Sequence, residues 1–183
     1  MSYKIIKNYL PQKQADEIES VMINPPKPID PAPMFPWFYM PHPTDNKDSQ
    51  MPFFTHVFYD HIGMKEDEYF KGINNTILAR LEKEDMEDMD LLRVRANLYL
   101  RNPQPIFSEP HRDHFINHKV AIYYVNTNDG YTLLDEKIKI PSIKNSVLIF
   151  DGGQHRAVSQ TDEKVRVIIN ISYQPKRSIT ATY

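Results

Sequence analysis

The second half of the chain consists of short segments in which apolar residues dominate or alternate with polar ones, as β-strands require. Turn residues such as Asn-Asp-Gly separate these segments. The pattern predicts strands at residues 91–100, 119–125, 131–134, 137–140, 146–150, 156–159 and 165–173. Many short strands joined by turns indicate a β-sandwich or a small barrel.

The first half of the chain has a different pattern. Apolar residues recur at helical spacing in residues 12–23 and 66–86, and alternation predicts strands at 3–10 and 51–60. A proline-dense stretch, residues 25–43, excludes a helix and a central strand. Its aromatic residues, Trp37 and Tyr39 among them, either cover the core or contact a substrate.

These elements predict an α+β fold in which N-terminal helices support a jelly-roll core. At 183 residues the chain has the length of one domain rather than two. We therefore expect a single domain over residues 1–183, helical and loop-rich in 1–90 and a jelly roll in 91–175.

Composition excludes several classes of protein. A net charge of −2 gives no electrostatic signal for nucleic acid, and the absence of cysteine excludes disulfides, thiolate metal sites and cysteine nucleophiles. No segment has the roughly 18 apolar residues that a membrane span requires. The lysines near the start are unlike a secretory signal, so we expect a cytoplasmic protein.

The candidate chemistry centres on two histidines and one aspartate. His111 and Asp113 are two residues apart, so on an extended segment their side chains point the same way. His155 follows an apolar strand and an Asp-Gly-Gly turn. Two imidazoles and one carboxylate form the facial triad that holds Fe(II) and leaves coordination positions open. The alternative is a solvent-side His-Asp pair and an unrelated histidine.

An arginine follows at the start of the next predicted strand. Arg166 carries a permanent planar cation suited to a carboxylate, which indicates an iron oxygenase that uses a 2-oxo acid. Lys164 is the rival basic residue, and Arg166 could instead pair with Glu163. We leave His114 and His118 out of the site because loop histidines are more often exposed than metal-bound.

The order of His-x-Asp, a distal His and a basic residue that opens a strand resembles the 2-oxoglutarate and Fe(II)-dependent oxygenases. Ala-Ile-Tyr-Tyr-Val-Asn before an Asp-Gly turn, and Ile-Ile-Lys-Asn-Tyr-Leu-Pro near the start, are similar to the prolyl-hydroxylase-like branch. Pro-Trp-Phe-Tyr and Phe-Thr-His-Val-Phe-Tyr resemble small hydroxylases of tailed phages. The resemblance covers most of residues 3–175 and implies a double-stranded β-helix.

The resemblance also implies roles for particular residues. His111, Asp113 and His155 match the iron ligands, and Arg166 matches the residue that binds the distal carboxylate of 2-oxoglutarate.

Two tyrosines match co-substrate residues of the family. Tyr124 matches a tyrosine that helps to bind the distal carboxylate, although Tyr123 could take its place because neighbours on a strand alternate faces. Tyr99 resembles a second co-substrate tyrosine. One departure is Gly130-Tyr131, where relatives often have Gly-Gly, and we expect it to reshape the pocket wall.

The implied activity is hydroxylation of a C–H bond with Fe(II), 2-oxoglutarate and O₂. By analogy the substrate is a peptidyl, prolyl-type side chain, and its specificity would reside in residues 25–50 and 101–110. One alternative is a small-molecule hydroxylase with the same site. Another is a metal-binding jelly-roll module without turnover. A cupin-type enzyme is disfavoured because its cluster of two histidines and a glutamate is absent.

Overall fold

The computed structural model describes residues 2–23, 34–41, 51–63 and 65–176. Its strands are β1 (Tyr3–Lys7), β2 (Phe38–Met40), β3 (Phe53–Asp60), β4 (Lys65–Glu66), β5 (Met89–Leu100), β6 (Lys119–Tyr124), β7 (Asn128–Leu134), β8 (Ile138–Ser142), β9 (Ser146–Asp151), β10 (His155–Val158) and β11 (Val165–Pro175). Its helices are α1 (Gln12–Met22), α2 (Phe70–Ile73) and α3 (Ala79–Leu81), with π-helical turns at Asn74–Leu78 and Glu82–Met86.

The strands form two antiparallel sheets. The large sheet has the order β1-β9-β6-β11-β5-β3-β2, with β4 paired to β3, and the small sheet has the order β10-β7-β8. Two isolated bridges, Phe107 to Val158 and His111 to His155, place the segment before Asp113 beside β10. The predicted α+β fold with a double-stranded β-helix core is confirmed.

The central strands β6, β9 and β11 of the large sheet are buried on both faces, which explains why β6 and β9 are largely apolar in sequence. Alternate residues of β11, such as Val167 and Ile169, pack on one side with residues of the helices, including Ile77 and Leu81. Ile168 packs on the other side against apolar residues of the small sheet. The functional residues lie in this second layer, between the two sheets.

The predicted strand boundaries are correct to within a few residues. The strand predicted at 3–10 ends at Lys7 because Asn8 adopts a positive φ of 50° and the next residues turn into the core. In the small sheet, β7 begins at Asn128, earlier than predicted, and β8 continues to Ser142.

The second predicted helix, residues 66–86, begins later than expected. Lys65–Glu66 pair with β3 as β4. Asp67 Oδ1 then accepts hydrogen bonds from the backbone N–H groups of Tyr69 and Phe70, at 3.1 and 2.9 Å, and so caps the helix start.

The first 90 residues also supply strands β1 to β4, of which β1 and β3 lie in the two segments predicted as strands. Of the proline-dense stretch 25–43, only residues 34–41 are described, and they include the short edge strand β2. The extent of the domain stays a prediction. Among the described residues, no helix is long and apolar enough to span a membrane.

Candidate metal centre and co-substrate pocket

His111, Asp113 and His155 come together at one end of the small sheet. The backbone N–H of each histidine donates to the carbonyl oxygen of the other, both at 2.9 Å, so the backbone holds the two imidazoles side by side. One ligand atom from each of the three residues lies within 4.8 Å of the other two. In the part of the chain that the structure describes, this is the one cluster of such residues with metal-binding geometry.

Backbone carbonyls fix the orientation of both imidazoles. His111 Nδ1 lies 3.0 Å from the Glu109 carbonyl oxygen, and His155 Nδ1 lies 3.1 Å from that of Gly153. A carbonyl only accepts, so each Nδ1 donates a proton and each Nε2 is left as the free lone pair. His155 Nε2 lies 3.7 Å from Asp113 Oδ2. In this tautomer, the Nε2 atom of each imidazole is the one available to a metal.

The Asp113 carboxylate is buried and held from several sides. Arg93 Nη2 donates to Oδ1 at 2.9 Å, and Asn170 Nδ2 donates to Oδ2 at 3.2 Å. Burial raises the pKa of Asp113, but His155, Arg95 and Arg93 together lower it by more, and the net pKa is well below the ordinary value. The carboxylate is ionised at neutral pH, as a metal ligand must be.

His155 is buried at 4% exposure, and this burial lowers its pKa to about 4 despite the opposing effect of Asp113. Its imidazole is therefore neutral at physiological pH. A neutral imidazole can donate its lone pair to a metal without first losing a proton.

Arg166 is fully buried between the two sheets. Its Nε donates to Ser142 Oγ at 2.8 Å and its Nη2 donates to Thr132 Oγ1 at 3.3 Å, whereas Nη1 is buried with no hydrogen-bond partner. No acidic side chain among the described residues forms an ion pair with it. Burial lowers its pKa, while Tyr99 and Tyr124 act in the opposite direction. A buried guanidinium with one free nitrogen is suited to an anionic ligand.

Two tyrosines lie close to this guanidinium. Tyr124 faces the interior between the sheets, and its hydroxyl donates to Thr132 Oγ1 at 3.0 Å, the same oxygen that Arg166 contacts. Tyr99 places its ring centroid 5.3 Å from Arg166 Cζ. Tyr123 faces the opposite layer, where it packs near Tyr9.

A pocket between the sheets connects the two parts of the site. His111 and His155 line it at the metal end, and Tyr99 and Thr132, which contact Arg166, line its other part. Ile122 and Ile168 supply apolar wall. The arrangement places the two candidate metal-binding histidines and two neighbours of Arg166 around one pocket.

Sequence reasoning missed a row of polar residues on β5. Arg93, Arg95 and Asn97 lie on the same strand face as Tyr99, and Arg95 and Asn97 line the pocket. The signal was available, because polar residues alternate with apolar ones at every second position from Arg93 to Tyr99. Only Tyr99 was identified there.

The expected effect of Gly130-Tyr131 on the pocket wall is wrong. Tyr131 lies on the outer face of the small sheet. Its ring packs edge-on to Phe107, and Lys139 Nζ lies 4.0 Å from the ring centroid. Gly130 faces inward instead, and a Cβ atom there would lie 2.8 Å from Cδ of Arg166. Glycine is therefore required for the close approach of the arginine.

Several other candidates are now placed. The side chain of Lys164 is exposed, so it does not reach the pocket. His118 is buried, contrary to the expectation of a loop histidine, and its Nδ1 lies 2.8 Å from the Ile116 carbonyl oxygen. Trp37 packs against the core and donates to the Met22 carbonyl at 3.4 Å, whereas Tyr39 is exposed.

Comparison with solved structures gives matches over almost the whole chain. A 2-oxoglutarate-Fe(II) oxygenase family oxidoreductase from Burkholderia pseudomallei has a TM-score of 0.66 and 11% identity, over 94% of this chain and 85% of that one. The prolyl hydroxylase of Trichoplax adhaerens, in complex with a hypoxia inducible factor peptide, has a TM-score of 0.61 and 13% identity, over 94% and 83%.

The epimerase SnoN from nogalamycin biosynthesis, which is non-heme and α-ketoglutarate-dependent, has a TM-score of 0.62 and 11% identity, over 94% and 78%. No protein-family profile matches the chain, and no curated protein sequence matches it. At this level of identity the similarities show a shared fold, the double-stranded β-helix of these oxygenases.

Proposed function

We propose that this protein is an Fe(II)- and 2-oxoglutarate-dependent dioxygenase that hydroxylates a C–H bond. The observation that carries the proposal is that two features meet at one pocket. One is a group of two imidazoles and a carboxylate, and the other is the buried Arg166 with a free Nη1, whose neighbours Tyr99 and Thr132 line the pocket together with both histidines.

The residues fit both groups. His111, Asp113 and His155 are the donor types that suit non-haem Fe(II), and Arg166 suits the distal carboxylate of 2-oxoglutarate. When bound, iron with 2-oxoglutarate and O₂ supplies the oxidation, releasing succinate and CO₂ and placing one oxygen atom in a C–H bond. The protein supplies binding, orientation and electrostatics.

Each of these contributions has an identified source. Arg93 and Asn170 donate to the two Asp113 oxygens and hold the carboxylate in one orientation. Ser142 and Thr132 fix two nitrogens of the Arg166 guanidinium, so Nη1 is preorganised for the co-substrate. Apolar walls limit water, which strengthens these charge interactions.

A metal-binding module without turnover does not account for Arg166. A metal that only stabilises the fold needs no carboxylate partner, and an unpaired buried cation costs folding free energy. Retention of such a cation beside an open metal face favours a co-substrate site. The catalytic interpretation is therefore the better one.

For the substrate we propose a peptidyl, prolyl-type side chain. The edge strand β2 is exposed, and its Met40 pairs with Phe53, which lines the pocket. An exposed edge strand can add an extended peptide as a further strand. The Trichoplax hydroxylase with its bound peptide supports this proposal. SnoN and the polar pocket residues Arg95 and Asn97 support a small-molecule substrate as the second candidate.

The test is succinate formation by the protein with Fe(II), 2-oxoglutarate and O₂, without any added substrate. We expect slow, iron-dependent turnover that Asp113→Ala abolishes. Absence of succinate from folded, iron-loaded wild-type protein would contradict the proposal. A cytoplasmic location stays a prediction.

A further inference from the structure

The inner face of β5 brings two arginines to the metal site. Arg93 and Arg95 alternate with apolar residues of the large sheet, and both side chains are 18% exposed. Both approach the Asp113 carboxylate, whose side chain is 1% exposed. Two largely buried cations therefore share one acidic partner.

Arg93 has its acidic partners within the protein. It donates to Asp113 Oδ1 at 2.9 Å, and Asp60 is a second nearby carboxylate. Arg93 therefore holds Asp113 in place, and these two carboxylates balance its charge without a ligand.

Arg95 is different, because its side chain donates no hydrogen bond to any of the described residues. Its Nη2 lies 3.7 Å from Asp113 Oδ1, the oxygen that Arg93 already contacts, and its Nε, like that of Arg93, is buried without a partner. Its side chain lines the pocket together with His111 and His155. A cation with unused donors thus faces the space beside the metal ligands.

The charges at this point do not balance. With Asp60 counted for Arg93, Asp113 is the carboxylate left for Arg95, and the same carboxylate has to serve a metal ion. A buried charge is costly unless it is paired and hydrogen-bonded, so the arrangement favours an anion from outside the protein.

We propose that Arg95 binds an oxyanion of the prime substrate, a carboxylate or a phosphoryl group, beside the metal. This inference rests on the proposed function, in which 2-oxoglutarate uses one carboxylate at Arg166 and the other at the metal. The co-substrate then has no carboxylate left for Arg95. The fork of a guanidinium matches both kinds of oxyanion.

The experiment is calorimetric titration of acetate and, separately, sulfate into protein loaded with Mn(II) and saturating 2-oxoglutarate, at ionic strength held constant with chloride. Acetate represents the carboxylate and sulfate the phosphoryl group, so the tighter anion identifies the source. Arg95→Gln is the test variant. Arg101→Gln is the matched control, because Arg101 is exposed just beyond β5.

We expect wild type and Arg101→Gln to bind one anion per chain, and Arg95→Gln to bind it at least tenfold more weakly. Equal affinity in Arg95→Gln, or no binding by wild type above the chloride control, would overturn the inference.

A titration of 2-oxoglutarate into the same Mn(II)-loaded proteins separates this inference from the proposed function. If wild type does not bind 2-oxoglutarate, the proposed function fails. If Arg95→Gln loses as much affinity for 2-oxoglutarate as for acetate, Arg95 serves the co-substrate. The inference is then wrong while the proposed function stands.

Discussion

Replacement of Arg166 by methionine separates the proposed co-substrate role of this residue from a structural one. Arg166 is fully buried, with Nε and Nη2 bonded to Ser142 and Thr132 and with Nη1 unpartnered. Methionine keeps much of the length and the apolar stem but removes the charge. The fold should therefore survive, since buried charges replaced by apolar side chains of similar volume are often neutral or stabilising.

The magnitude follows from the contacts that a carboxylate would gain. A hydrogen bond to a charged group contributes about 1.5–3 kcal/mol, and about 1.4 kcal/mol corresponds to a factor of ten in affinity. Nη1 alone supplies one such bond. We therefore expect the dissociation constant of 2-oxoglutarate to rise at least tenfold in Arg166→Met, with the affinity for Mn(II) nearly unchanged.

The assay is titration of 2-oxoglutarate into Mn(II)-loaded wild type, Arg166→Met and Lys164→Met, the last being an exposed control two residues away. The melting temperature of each metal-free protein is measured alongside. We expect that of Arg166→Met to be unchanged or higher, because a buried cation without an anion has been removed. Wild-type affinity in Arg166→Met, or a defect in Lys164→Met alone, would refute the reasoning.

Three further predictions concern neighbouring positions. Asp113→Ala should abolish Mn(II) binding, which electron paramagnetic resonance measures, because it removes the one carboxylate of the triad; unchanged affinity would place the metal elsewhere. Gly130→Ala should lower stability by about 1–3 kcal/mol in urea unfolding and weaken 2-oxoglutarate binding, because its Cβ would lie 2.8 Å from Arg166 Cδ; wild-type values for both would contradict this. Tyr124→Phe should raise the 2-oxoglutarate dissociation constant roughly fivefold, since a hydrogen bond from this hydroxyl, which lies beside the Arg166 partner Thr132, to the bound carboxylate would contribute about 1 kcal/mol; a larger rise than in Arg166→Met would show that Tyr124, and not Arg166, is the main partner of the carboxylate.

The sequence predicts the jelly-roll strands well because strands that are buried in the core require runs of apolar residues, which are visible in the sequence. β6 and β9 contain continuous apolar runs, and the structure buries them on both faces. The His-x-Asp spacing likewise predicts that the two side chains point to the same side of an extended segment. The approach of His155 to His111, however, depends on a bridge between distant segments that no local pattern encodes.

Other features were not predictable from local patterns. The hairpin between β7 and β8 turns at Asp135 and Glu136, which adopt positive φ angles of 47° and 56° without the usual Asn-Gly signal. Strands β2 and β4 are short, and they form only because β3 offers a partner. The contacts of Arg93 and Asn170 with Asp113 likewise join residues of separate strands.

The central claim is that one pocket holds Fe(II) through His111, Asp113 and His155 and 2-oxoglutarate through Arg166. The most direct measurement is an anaerobic titration of Fe(II) and 2-oxoglutarate, followed by the visible charge-transfer absorption of their complex. We predict a band that requires both components, saturates at one equivalent of iron per chain and is absent in Asp113→Ala. A folded wild-type protein without the band, or an undiminished band in Asp113→Ala, would contradict the account.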